Sequence, residues 1–140
     1  LMGPERLDLA LAERMRAGMP VLATCAGTIL LATGVRPRQT SLAVLDVDVL
    51  RNAYGRQIAS AVGDVRLAPS MGDPSHVDGV FIRAPRIVRV GAGGDVLGRW
   101  RDDPVLVRQG SILAASFHPE LTTDLRIHTL FLELPGTGHD

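Results

Sequence analysis

The sequence predicts an α/β domain in three layers, with a mainly parallel central sheet and an antiparallel excursion around residues 50–67 and 86–110. Three observations predict it. A short apolar run, Val21-Leu22-Ala23-Thr24, leads through a tight turn into a helical segment, the form of a buried parallel strand feeding a helix. Apolar stripes of helical period stand near both ends of the chain. Between them lies a series of short β-rich runs divided by turn residues.

The elements follow in order. Leu7, Leu11 and Met15 recur every four residues with Ala10 beside them, so residues 5–17 read as an amphipathic helix. Gly18 and Pro20 end it. After the strand 21–24, Cys25-Ala26-Gly27 must turn sharply, because Thr28 to Thr33 reads as helix again. Ala43–Leu50 and Gln57–Leu67 read as strands separated by the polar connection Arg51–Arg56. Residues 77–83, 86–90, 95–100, 104–109 and 112–117 are further strand candidates. Gly91-Ala92-Gly93-Gly94 is glycine-rich but lacks the following helix that a phosphate loop needs, so it reads as a hairpin turn. Thr122 or Thr123 is placed to cap a last helix whose stripe is Ile127, Leu130, Phe131 and Leu134. The tail Pro135–Asp140 is expected to fray.

Composition narrows the function classes. Of 140 residues, 46% are hydrophobic and 21% charged, which suits one domain, 1–140, with a real core. Lys+Arg and Asp+Glu are equal at 15 each, so no net field drives binding to nucleic acid or an anionic membrane. The single Cys cannot form an internal disulfide, and no Cys/His spacing suits zinc. A soluble, cytoplasmic protein without metal or cofactor is expected.

Cys25 is the sharpest chemical feature. A strand-to-helix elbow lifts its side chain from the sheet edge toward a helix N-terminus, where backbone N–H groups favour a thiolate. The elbow is crowded, and Ala23 and Gly27 supply small neighbours. The competing reading is a small buried hydrophobe. His118-Pro119-Glu120 follows the apolar run Ile112–Phe117, at the carboxyl end where open α/β sheets place their sites. Proline biases His118 toward extended geometry, and residues two apart then point the same way. Glu120 is thus expected to reach one ring nitrogen of His118 while the other faces the thiol. His76, His128 and His139 show no such arrangement and read as ordinary histidines.

Ala23-Thr24-Cys25-Ala26-Gly27, followed by Ser116-Phe117-His118-Pro119-Glu120, resembles the class I, triad-type glutamine amidotransferases. Arg51-Asn52-Ala53-Tyr54-Gly55-Arg56-Gln57, Val80-Phe81-Ile82-Arg83-Ala84-Pro85, and Phe117–Thr122 with Arg126 are similar to the glutaminase subunits of pyridoxal 5′-phosphate synthase within that group. The resemblance runs from about residue 5 to residue 134. It implies a flavodoxin-like α/β/α fold. It also implies a Cys25–His118–Glu120 triad that hydrolyses L-glutamine, with ammonia passed to the synthase lyase subunit in a hetero-oligomer. Arg51, Ile82 and Arg83 match glutamine-binding positions, and the Ala26 backbone N–H matches an oxyanion-hole donor.

This chain departs from the family pattern in two places. Ala23 stands where the elbow usually begins with Gly. The family's Gly-Gly-Glu-Ser loop and first strands have no counterpart in residues 1–20, so the domain reads as N-terminally incomplete and the 140 residues alone are expected to be nearly inactive. Two other readings compete: a catalytically inactive, partner-binding remnant, and the glutaminase of a different class I amidotransferase. Arg51–Gln57 and Phe81–Pro85 argue against the latter.

Overall fold

The computed structural model describes residues 4–51 and 60–134, with side chains of the first helix from Asp8 onward. Asn52–Gln57, the start of the expected strand 57–67, and the tail 135–140 lie outside the described residues. In chain order the elements are α1 (Pro4–Arg16), β1 (Val21–Thr24), α2 (Ala26–Leu31), β2 (Ala32–Arg36), β3 (Leu45–Leu50), β4 (Ser60–Leu67), β5 (His76–Ile82), β6 (Arg86–Val90), β7 (Asp95–Trp100), β8 (Asp103–Gln109), β9 (Ile112–Ala115) and α3 (Arg126–Leu132).

The strands form a six-stranded sheet, β1-β9-β8-β7-β4-β5, and a three-stranded sheet, β2-β3-β6. Among the described residues both parallel pairings, β1 with β9 and β2 with β3, involve the strands that flank the Cys25 elbow. The antiparallel part is larger than the sequence predicts, taking in β4, β5, β7, β8 and β9. Turn-linked strands such as β8 and β9 pair antiparallel because a short connection cannot carry a parallel crossover.

β9 lies in the middle layer. Its alternate residues enter two cores: Leu113 and Ala115 join Phe81, Trp100, Phe117 and Ile127 on one side. On the other, Ile112 and Ala114 join Ala12, Met15, Leu31, Leu45 and Ile87. Strand alternation thus gives an all-apolar strand two apolar faces to fill. The side chain of Gln109 fastens the small sheet to the large one: its Nε2 donates to the Val44 carbonyl (3.1 Å) and its Oε1 accepts from the Asp46 N–H (2.8 Å).

Three local expectations differ from the structure, while the expected face of α1 holds at Leu11 and Met15. The helix expected to reach Thr33 stops at Leu31, and Ala32–Arg36 is strand β2, because pairing with β3 outweighs weak local propensity. Gly91–Gly94 does turn, with the Gly94 N–H on the Gly91 carbonyl (3.0 Å). It is not a hairpin, since β6 pairs with β3 while β7 pairs with β8 and β4; the turn switches the chain between sheets. Neither Thr122 nor Thr123 caps α3. Thr122 Oγ1 donates to the Pro119 carbonyl, and Asp124 Oδ1 accepts the Arg126 N–H at 3.0 Å. On α1 the buried residues are Ala12 and Met15, with Leu11 partly buried; Ala10 is half-buried.

Candidate active site

Cys25 sits between β1 and α2 with φ 50° and ψ −110°, a conformation costly to a residue with a side chain. Two hydrogen bonds hold it there. The Ala115 carbonyl, at the end of β9, accepts the Cys25 N–H (2.8 Å) and the buried Thr28 hydroxyl (2.7 Å). Ala23 is not crowded from the Gly27 side: even a Cβ on Gly27 would lie 3.5 Å from that of Ala23, ordinary contact. The extra methyl at the elbow is therefore accommodated.

The thiol is buried, and Sγ donates to the Ile82 carbonyl at 3.4 Å. Burial raises the Cys25 pKa, and the negative charge of Glu120 adds to the rise; the Ala26 N–H works the other way without overcoming burial. The sequence by itself predicts a thiolate favoured by the helix N-terminus. Desolvation reverses that expectation, as α2 has six residues and cannot offset the cost of a buried charge. A base is therefore needed to ionise this thiol.

His118 leaves β9 through Ser116 and Phe117, both fully buried. Its N–H donates to the Val80 carbonyl (2.8 Å), forming an isolated bridge to β5. Its Nδ1 lies 2.6 Å from Glu120 Oε1. Pro119–Leu121 is a 3-10 turn rather than extended chain, yet the two side chains meet. Burial is the largest single influence on Glu120 and opposes its ionisation, but the hydrogen bond from His118, a backbone hydrogen bond and the charges of His118 and His128 together outweigh it and leave the pKa lowered. A carboxylate on Nδ1 fixes the tautomer and leaves Nε2 as the nitrogen that can take a proton from elsewhere.

β5 relates the two halves of the site. It is the last strand of the large sheet, and its Val80 and Ile82 carbonyls serve His118 and Cys25 respectively. Carbonyls two residues apart on a strand point to the same side and stand about 7 Å apart. One strand edge thus positions the thiol and the histidine as neighbours, although 57 residues separate Cys25 from Ile82.

The remaining candidates fall around this centre or apart from it. Ile82 is 40% exposed beside the thiol. Arg83 follows it, exposed, with φ 46°. Ala26 opens α2. Arg51 stands at the end of β3, where its Nε donates to the Pro37 carbonyl (3.0 Å) and Nη1 to Gln39 Oε1 (2.9 Å). Among the described residues no hydrogen bond links Arg51 to Cys25, His118 or Glu120.

Sequence reasoning passes over Thr28 and reads His128 as an ordinary histidine. A hydroxyl three residues past the elbow cysteine, in an otherwise apolar run, is the available signal for Thr28. His128 has a buried Nδ1 with no partner among the described residues, and its charge reaches Glu120; no sequence pattern marks that proximity.

The described residues thus bring a strand–cysteine–helix elbow and a histidine–carboxylate pair to the same strand, β5, the residue types that thiol acyl transfer on an α/β fold would draw on. The chain belongs to the SNO glutamine amidotransferase family, whose description matches residues 4–135. It is 52% identical over 130 residues to the pyridoxal 5′-phosphate synthase subunit PdxT of Thermotoga maritima, covering 91% of this chain and 68% of that protein. The PdxT of Mycobacteroides abscessus is 48% identical over 141 residues, covering 96% and 69%. A crystal structure of a glutamine amidotransferase superposes with a TM-score of 0.80 at 45% identity, covering 91% of this chain and 67% of that one. A second glutamine amidotransferase, from Thermotoga maritima, shares the fold at TM-score 0.62 and 15% identity, covering 92% and 52%.

Proposed function

We propose that this chain hydrolyses L-glutamine to L-glutamate and ammonia through Cys25, His118 and Glu120. Acting in the cytoplasm, it delivers the ammonia to the lyase subunit of pyridoxal 5′-phosphate synthase, with which it forms a hetero-oligomer. The observation that carries the reading is the His118–Glu120 contact of 2.6 Å beside a thiol held by the next same-side carbonyl of β5. Family membership and the PdxT relatives support it.

In this reading His118 takes the Cys25 proton as sulfur attacks the side-chain amide carbon of glutamine. The C–N bond then breaks, His118 returns the proton to the leaving nitrogen, and ammonia departs from a γ-glutamyl thioester. Water, deprotonated by His118, attacks the thioester; the C–S bond breaks and glutamate leaves with the thiol restored. Glu120 holds the ring through both steps. The Ala26 N–H donates to the oxyanion, while Arg51 takes the substrate α-carboxylate and Ile82 and Arg83 line its pocket.

Because the family's Gly-Gly-Glu-Ser loop has no counterpart in residues 1–20, the test is glutamate release, with the synthase partner present, by a protein extended at its N-terminus with that loop and the first strands, with Cys25 intact and with Cys25→Ala. Release should vanish in the Cys25→Ala variant; appreciable residual hydrolysis would remove Cys25 as the nucleophile.

A further inference from the structure

Away from the cysteine, at the far end of the β4–β5 pair, three arginines gather on one exposed face. Arg66 on β4 stands directly opposite Arg99 on β7 in the antiparallel ladder. Arg101 follows β7, its guanidinium 4.4 Å from the centroid of the Trp100 ring. All three are exposed. Like charges directly opposite on neighbouring strands repel. Among the described residues no carboxylate forms an ion pair with Arg66, Arg99 or Arg101. Arg99 Nη1 donates instead to the Asp102 carbonyl (3.0 Å).

These arginines line a concavity of about 130 Å³ together with Asp64, His76 and Asp102. The Asp64 carboxylate is already engaged by His76 Nδ1 at 3.0 Å. Three guanidinium charges thus face two carboxylates, one of which is committed to a histidine. In a chain of zero formal net charge, such a gathering is a local feature and no reflection of overall basicity.

We propose that this concavity binds a small, multiply charged phosphate compound. Guanidinium forks match phosphate oxygens in pairs of hydrogen bonds. Arginines arriving from two strands and the loop after β7 suit a tetrahedral anion, whose oxygens point in several directions; a planar carboxylate is filled by one fork. The anion would also remove the repulsion between Arg66 and Arg99. The site is separate from the cysteine chemistry: six residues of strand, about 20 Å, part His76 from Ile82.

The test is calorimetric titration of the full chain with inorganic pyrophosphate, and separately with inorganic phosphate, at constant ionic strength. Saturable one-site binding is expected, tighter for pyrophosphate. Arg66→Ala and Arg99→Ala should each weaken it about tenfold or more. Arg14→Ala, which removes an exposed arginine on α1, should leave it unchanged. Arg66→Glu should abolish binding while raising Tm, because it sets a carboxylate opposite Arg99; this separates loss of the site from loss of the fold. Absent saturable heat, equal weakening by Arg14→Ala, or binding retained by Arg66→Glu would each overturn the proposal.

Discussion

Replacing Thr28 by valine tests how the elbow is held. The side chain is fully buried, and its hydroxyl donates to the Ala115 carbonyl at 2.7 Å. Valine has nearly the same shape, so no cavity opens. The carbonyl is not orphaned either, because the Cys25 N–H still occupies it at 2.8 Å. The loss is one buried hydrogen bond with its acceptor still satisfied, worth about 1 kcal/mol. For a domain of this size that lowers Tm by about 4 °C. Thr28→Ser makes the useful comparison, since it keeps the hydroxyl and removes a buried methyl, also at a cost of about 1 kcal/mol. The two variants should therefore be similarly destabilised in thermal melts. They should differ in glutamate release measured with the synthase partner. Serine preserves the strut and should stay near the wild-type rate. Valine frees a residue held at φ 50° to relax, and a displaced nucleophile should slow turnover on the order of ten- to a hundredfold. Equal rates for the two variants, whether both normal or both low, would refute the role given to the Thr28 hydroxyl.

The pH dependence of Cys25 alkylation has a definite sign. Because burial holds the thiol above its ordinary pKa, iodoacetamide should label it more slowly than a free thiol at about pH 7–8 and accelerate only above the usual thiol range; fast labelling at neutral pH would contradict this. His118→Asn should nearly abolish glutamate release, while His128→Asn should cost at most a few-fold, acting through Glu120, and equal losses would mean the base is misassigned. Arg51→Ala should raise KM with kcat largely unchanged, as a contact to the fixed α-carboxylate is made in ground and transition states alike. A fall in kcat at constant KM would move Arg51 out of the glutamine pocket.

Local signals carried much of this protein. The apolar run 21–24 against a small-residue turn is enough to specify β1, the Cys25 elbow and the start of α2, because neighbours in sequence settle that geometry. His118 and Glu120 stand two residues apart, so their meeting was legible even though the segment is a 3-10 turn rather than extended chain. The stripe Ile127, Leu130 and Phe131 marks the core face of α3 for the same reason, with Leu134 joining that core just past the helix end. Pairing between distant strands was not legible. Ala32–Arg36 becomes a strand only because β3 lies beside it, and Gly91–Gly94 changes sheets because β6 and β7 find different partners. The state of the thiol belongs to the tertiary structure as well. Sequence shows a cysteine before a helix, which by itself argues for a thiolate. Packing buries that sulfur against the Ile82 carbonyl and brings Glu120 near enough to oppose its ionisation. Desolvation depends on everything that surrounds a group, and for Cys25 those surroundings come from strands far along the chain.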